Sequence, residues 1–197
     1  MPPDVPLVIS LTVSGFTVNR VLIDGGSSAN IISSDTLGRM RIPHSAIQSV
    51  VSNLTGFGGN EIKPLGCIVL PVSMGKAPVR ATHNITFLVV DTPFDYNILF
   101  GRPGIRQFRA IPSTFHNRIK FPTIHGVGQE VGNIVEACKC YTMSTRRMSA
   151  PGLPLEATRG GPPELPHGGI FMIRNSIQKP PPSGAPKSLG PNRGMEL

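Results

Sequence analysis

Charge is scarce in this chain of 197 residues: Asp, Glu, Lys and Arg make up 15%, against 39% hydrophobic residues. Glycine (22) and proline (21) are instead plentiful. That mixture argues against a helical protein and suits a turn-rich β domain joined to a flexible segment. Cysteine is scarce too. The three thiols, Cys67, Cys138 and Cys140, have no ligand-like spacing to the five histidines, so free thiols in a reducing compartment are expected. Cys138-Lys139-Cys140 lacks the second Cys or His pair that a tetrahedral metal site needs, so no metal and no cofactor are expected. No apolar run approaches the length of a membrane span, and Met1-Pro2-Pro3-Asp4 has neither the basic nor the apolar region of a signal peptide. The expectation is a soluble, cytoplasmic chain that is not secreted and has no membrane partner.

Residues 1–139 carry 12 Lys/Arg and 8 Asp/Glu, and residues 140–197 carry 7 and 3, so half of the net +8 falls in the shorter C-terminal part. A basic tail attracts nucleic acid by counterion release. These charges are scattered and lack interleaved aromatics, so nucleic acid is disfavoured as a partner and a solubilising role stands beside it. Ten of the prolines and eight of the glycines lie in the same stretch, including Pro180-Pro181-Pro182. Such a sequence buries too little apolar surface to offset its ordering entropy. Residues 141–197 are therefore expected to be a disordered tail, with Ile170-Phe171-Met172-Ile173 its one sticky patch.

The rest reads as short strands. Val5 through Val13 alternates, Ser14-Gly15 breaks it, and residues 17–23 form the second arm of a hairpin. Residues 29–32 suggest a short strand, and 35–40 one helical turn capped by Asp35. Residues 67–72 and 85–90 are the clearest strands, the second buried on both faces. Pro103 suits the first turn of a short helix over residues 103–108, and residues 115–122 suggest a last hairpin or edge strand. Two segments, ending at Ile23 and Phe100, are apolar runs that stop at glycine, which hints at a pseudo-symmetric pair.

The first of these carries chemistry. Asp24 ends Val21-Leu22-Ile23 and is followed by Gly25-Gly26-Ser27-Ser28. A carboxylate where a buried strand breaks into a glycine turn is rigid and poorly solvated, and glycines let N–H groups approach it. Aspartic proteolysis uses such a group, two carboxylates sharing one proton. A solvated aspartate at an ordinary turn fits these five residues equally well. A phosphate-cradling loop does not, because the Walker lysine is missing. Nor does a serine hydrolase, since Ser27 and Ser28 lack a nucleophile elbow and the histidines are scattered.

Several segments together resemble a known family. Val21-Leu22-Ile23-Asp24-Gly25-Gly26-Ser27-Ser28-Ala29-Asn30-Ile31 is similar to the active-site strand and turn of retropepsins, in particular the protease region of plant gypsy-type long-terminal-repeat retrotransposon polyproteins. Tyr96-Asn97-Ile98-Leu99-Phe100-Gly101-Arg102-Pro103 resembles their second signature, apolar residues followed by Gly-Arg. Ala110 to His116 and Ile119 to Thr123 look like the stretch that closes the domain. The resemblance spans about residues 5–140 and implies an all-β, retropepsin-like closed barrel with one short helix over residues 5–135. It implies Asp24 as the catalytic aspartate, Gly26 supplying an N–H to the carboxylates, and Ser27 donating to the outer carboxylate oxygen. Gly101 and Arg102 would brace the loop from behind. Gly56, Phe57, Gly58 and Gly59 fall in the flap that closes over a polypeptide substrate, and a location in the cytoplasm or within retroelement particles follows. Phe57 has a second reading, a small satellite packing residue.

Two departures stand out. Gly25 replaces the usual Thr or Ser, whose hydroxyl bonds across the dimer, a loss of about 1 kcal/mol per contact. Ser28 stands where retroviral members often place an acid that pairs with the bracing arginine. No second Asp opens a comparable turn: Asp35-Thr36-Leu37, Asp91-Thr92-Pro93 and Asp95-Tyr96-Asn97 all fail. The second carboxylate must come from another copy, which predicts a homodimer most active on the acidic side of neutrality. The alternative is a domesticated or decaying relative that keeps the fold for dimerisation or peptide binding without cleavage.

Overall fold

Strand β1 (Val8–Val13) places Ile9, Leu11 and Val13 in the core, and its partner β2 (Phe16–Ile23) returns antiparallel to it. Ser14 and Gly15 join them with positive φ at both positions, the left-handed turn that matches strand twist. The computed structural model describes residues 5–50, 53–55, 61–91, 94–148 and 174–175. Beyond the hairpin follow β3 (Ile31–Ser33), α1 (Ser34–Arg39), the short strands β4 (Leu54–Thr55) and β5 (Glu61–Ile62), and the long pair β6 (Gly66–Met74) and β7 (Ala81–Val90). Then come β8 (Ile98–Phe100), α2 (Arg102–Gln107), β9 (Ile111–Ser113), β10 (Arg118–Thr123), β11 (Gly126–Val131) and α3 (Ile134–Met148).

Six strands close into a barrel in the order β1-β2-β8-β3-β7-β6, so the chain is an all-β closed barrel with few helices. The two apolar runs that stop at glycine lie side by side: β2 and β8 are parallel, with Ile23 opposite Phe100. The interior is filled by Ile9, Leu11, Val21, Ile32, Phe87 and Phe100, joined by Phe108 and Phe121. Phe108 stands 5.9 Å from Phe100 and 6.3 Å from Phe121, ring to ring. Each fully buried apolar side chain of this size contributes about 1.5–3 kcal/mol.

Strands β3, β7 and β8 are apolar on both faces because a second cluster lies outside the barrel: Ile31, Leu88, Val90 and Leu99 pack with Leu54 of β4. The β4–β5 hairpin therefore sits on the far side of those strands. The four flap positions Gly56, Phe57, Gly58 and Gly59 lie outside the described residues, as does most of the expected tail.

Three local readings change. Ser33, not Asp35, caps α1: its hydroxyl accepts from the Thr36 N–H at 3.1 Å, while Asp35 pairs with Arg39 at 2.9 Å one turn on. The C-terminal hairpin gains a strand, β11, making a three-stranded sheet in the order β11-β10-β9. Helix α3 runs across the boundary expected near residue 141; Asn133 accepts from Glu136 N–H at 3.1 Å, and Ala137 and Cys140 face the barrel.

Candidate active site

Asp24 leaves the end of β2 with its N–H donated to the carbonyl of Phe100 at 3.0 Å, so the last residue of β8 fixes its backbone. The chain then turns, and Ser27 N–H reaches back to Asp24 O at 3.3 Å. The side chain is drawn inward: Asp24 is only 4% exposed. Its Oδ1 accepts from Gly26 N–H at 2.9 Å. Its Oδ2 is buried and has no hydrogen-bond partner among the described residues. Burial pushes the carboxyl above the ordinary aspartate value, while the N–H groups of Gly26 and Ser27, and the charge of Arg102, pull it down without cancelling the rise.

Ser27 is fully buried, but its hydroxyl donates to Ala29 O at 2.9 Å and receives Ala29 N–H at 3.4 Å. The donation to the carboxylate that the family resemblance implies is absent, because the turn directs Oγ into its own backbone. Gly25 is exposed, and a Cβ built on it would meet nothing within 4 Å. A hydroxyl-bearing residue would fit there, so the glycine is not a steric requirement.

Gly101 is one. A Cβ there would run into Ala29 O and approach Ser27 O at 3.0 Å, so only glycine lets the start of α2 lie against the Asp24 turn. Arg102 N–H donates to Ser27 O at 2.9 Å, and its side chain points outward. Among the described residues no carboxylate lies within ion-pair distance of it. With Gly25, Ser28, Arg106 and Pro112 it lines an open groove of about 860 Å³ beside the turn.

One contributor escaped the sequence reading. Asn30, 4% exposed, accepts at Oδ1 from both Gly101 N–H (3.0 Å) and Gly104 N–H (3.1 Å). Its Nδ2 donates to Thr86 O at 3.0 Å. One amide thus ties the Asp24 turn to the start of α2 and to β7. The signal was a polar residue breaking the apolar stretch Ala29-Asn30-Ile31-Ile32. Elsewhere, no group of three or more His, Cys, Asp or Glu side chains suited to a metal occurs among the described residues. Cys140 is buried on α3 with its thiol on Asp95 O at 3.3 Å, and Cys138 is half-buried. No helix among the described residues is long and apolar enough to cross a membrane.

No family model matches the chain, and no curated protein matches it. Among solved structures it is similar to the retroviral protease-like domain of Ddi1 from Leishmania major, at 16% identity over 64% of this chain and 94% of that one, with a TM-score of 0.47. It is also similar to a retropepsin-like aspartic protease from Rickettsia conorii, at 17% identity over 62% of this chain and 80% of that one, with a TM-score of 0.42.

Proposed function

We propose that two copies of this chain form an aspartic endopeptidase of retropepsin type, descended from a plant gypsy-type retrotransposon polyprotein. The observation that carries this reading is the Asp24 carboxyl: one oxygen held by Gly26 N–H, the other buried without a donor among the described residues, in a site whose burial pushes its pKa above the ordinary aspartate value. A second carboxyl supplied by an identical chain satisfies that oxygen, because two carboxylates about 3 Å apart share one proton. Gly25 is exposed beside the groove of Arg102, Arg106 and Pro112, and this face is where the second copy seats.

In the pair, the ionised Asp24 takes a proton from water while the protonated one donates to the carbonyl oxygen of the scissile bond. The resulting tetrahedral adduct then collapses: the leaving amine takes a proton from the carboxyl that acted as base, and one hydroxyl of the adduct returns its proton to the other carboxyl, leaving a carboxylic acid and the starting pair. Gly26 N–H holds the charge on Oδ1, and the backbone bonds of Asp24 N–H to Phe100 O and of Arg102 N–H to Ser27 O keep the turn from relaxing. The glycine-rich segment 56–59 would close over the peptide as a flap. Gly25 favours a second reading, a non-cleaving module for dimerisation or peptide binding, because no hydroxyl at that position can bond across the pair.

Cleavage of peptides with apolar residues on both sides of the scissile bond, assayed at mildly acidic pH, separates the two. The protease reading expects hydrolysis that a statine-type mimic blocks and that Asp24→Asn abolishes. Binding of the same peptides with no hydrolysis, unchanged by Asp24→Asn, would favour the second.

A further inference from the structure

We propose that the outer face of the β9–β10–β11 sheet binds single-stranded nucleic acid. The sheet has two faces of opposite character. On the inner one Ile119 and Phe121 join the barrel core, and Pro112 turns toward the groove beside Gly25. On the outer one β10 presents Arg118 and Lys120, two residues apart and hence about 6.7 Å from each other along the strand. Arg118 lies opposite Ser113 and Lys120 opposite Ile111, and these four with His116 line a shallow pocket of about 350 Å³.

Neither Arg118 nor Lys120 has an acid within ion-pair distance among the described residues. The sheet's one acid, Glu130, accepts from Gly75 N–H at 2.7 Å and so is engaged with the barrel. Arg118 is already oriented, its Nε donating to His116 O at 3.2 Å and one terminal nitrogen to Gln129 Oε1 at 3.3 Å. The guanidinium therefore loses little freedom on meeting a phosphate.

Ile111 in the pocket lining and Phe115 in the turn between β9 and β10 add exposed apolar surface near the cations. Phe115 is 87% exposed, with its ring centre 5.0 Å from that of His116, and Ile111 is 73% exposed. An accessible aromatic face next to unpaired cations is the pattern on which bases stack while phosphates are held, a mode that tolerates sequence because every base offers a π face. A second copy of this chain is the poorer occupant, since face-to-face packing would bring two Arg118–Lys120 rows together. The linear sequence hid the arrangement, because the pocket forms only when β9 pairs with β10. The inference does not depend on the proteolytic reading.

The test is anisotropy of fluorescein-labelled dodecauridylate titrated with the full chain from about 50 to 200 mM salt. Wild-type affinity should fall with salt. The double variant Arg118→Gln, Lys120→Gln should flatten the log–log slope by about 1.4, at roughly 0.7 per phosphate contact on a single strand. Phe115→Ala should weaken binding about tenfold and leave the slope alone. Phe115 and Lys120 are exposed and Arg118 is half-buried, so melting curves are recorded for each variant and binding is compared where all are folded. Wild-type affinity and slope in both variants would overturn the proposal and assign any binding to the basic tail. Equal binding of polyglutamate, insensitive to Phe115→Ala, would also overturn it and point to an acidic protein surface.

Discussion

Asp24 is buried at a cost. The fold holds its carboxyl in surroundings that favour the neutral form, so its pKa lies above the unfolded value, and desolvation is the leading cause. The sign for stability follows by linkage. The group's contribution is fully present below the unfolded pKa and is lost as pH rises through the folded one. Asp24→Asn keeps the shape and removes the charge, so it should raise the melting temperature near neutral pH and have little effect near the unfolded pKa of aspartate. Thermal melts of both proteins at low and neutral pH check this; a gain over wild type no larger at pH 7 than at low pH contradicts it. Asp24 was legible in the sequence because an apolar run stopping at two glycines is a local pattern. The hydroxyl of Ser27 was not, since its direction depends on how the turn closes on Ala29.

At the scale of elements, the site is held by contacts between segments far apart in the chain. Asn30 joins the Asp24 turn to Thr86 on β7 and to Gly101 and Gly104 at the head of α2. No sequence window contains those partners, and for that reason Asn30 read as an unremarkable polar residue. Asn30→Ala would leave the buried N–H groups of Gly101 and Gly104 and the Thr86 carbonyl unpaired, at about 1–3 kcal/mol for each such group. Chemical denaturation should show a loss of several kcal/mol, while Asn30→Asp, which retains the two acceptor bonds, should lose less. Equal losses in the two variants would contradict the assigned roles of Oδ1 and Nδ2. The strands of the barrel were largely readable from alternation and β-branched runs. Helix α3 was not, because its Thr, Cys and Met content gives a weak apolar stripe, although Asn133 three residues before Glu136 was an N-terminal capping signal. Strand β11 was hidden by its glycines, Gly126 and Gly128, the second admitted because Phe121 packs where a Cβ would sit.

On the scale of the whole molecule, a closed barrel was expected from the family resemblance, but its strand order is written in no local pattern of the sequence. The order β1-β2-β8-β3-β7-β6 brings strands from the two ends of the domain together, and only then do Ile23 and Phe100 become neighbours. That pairing seats Asp24 on the carbonyl of Phe100 and leaves its Oδ2 buried and unpaired. In the proposed protease a single chain builds half of a two-carboxylate site, and a second copy supplies the other half. Mixing wild-type protein with an equal amount of Asp24→Asn, at a concentration where chains pair fully and exchange freely, tests this directly. If each active unit needs Asp24 from both chains, peptide cleavage should fall to about half the rate of the same wild-type protein alone, by random pairing within a symmetric dimer. A rate unchanged by the added variant would show that one chain works unaided, and would contradict the shared site.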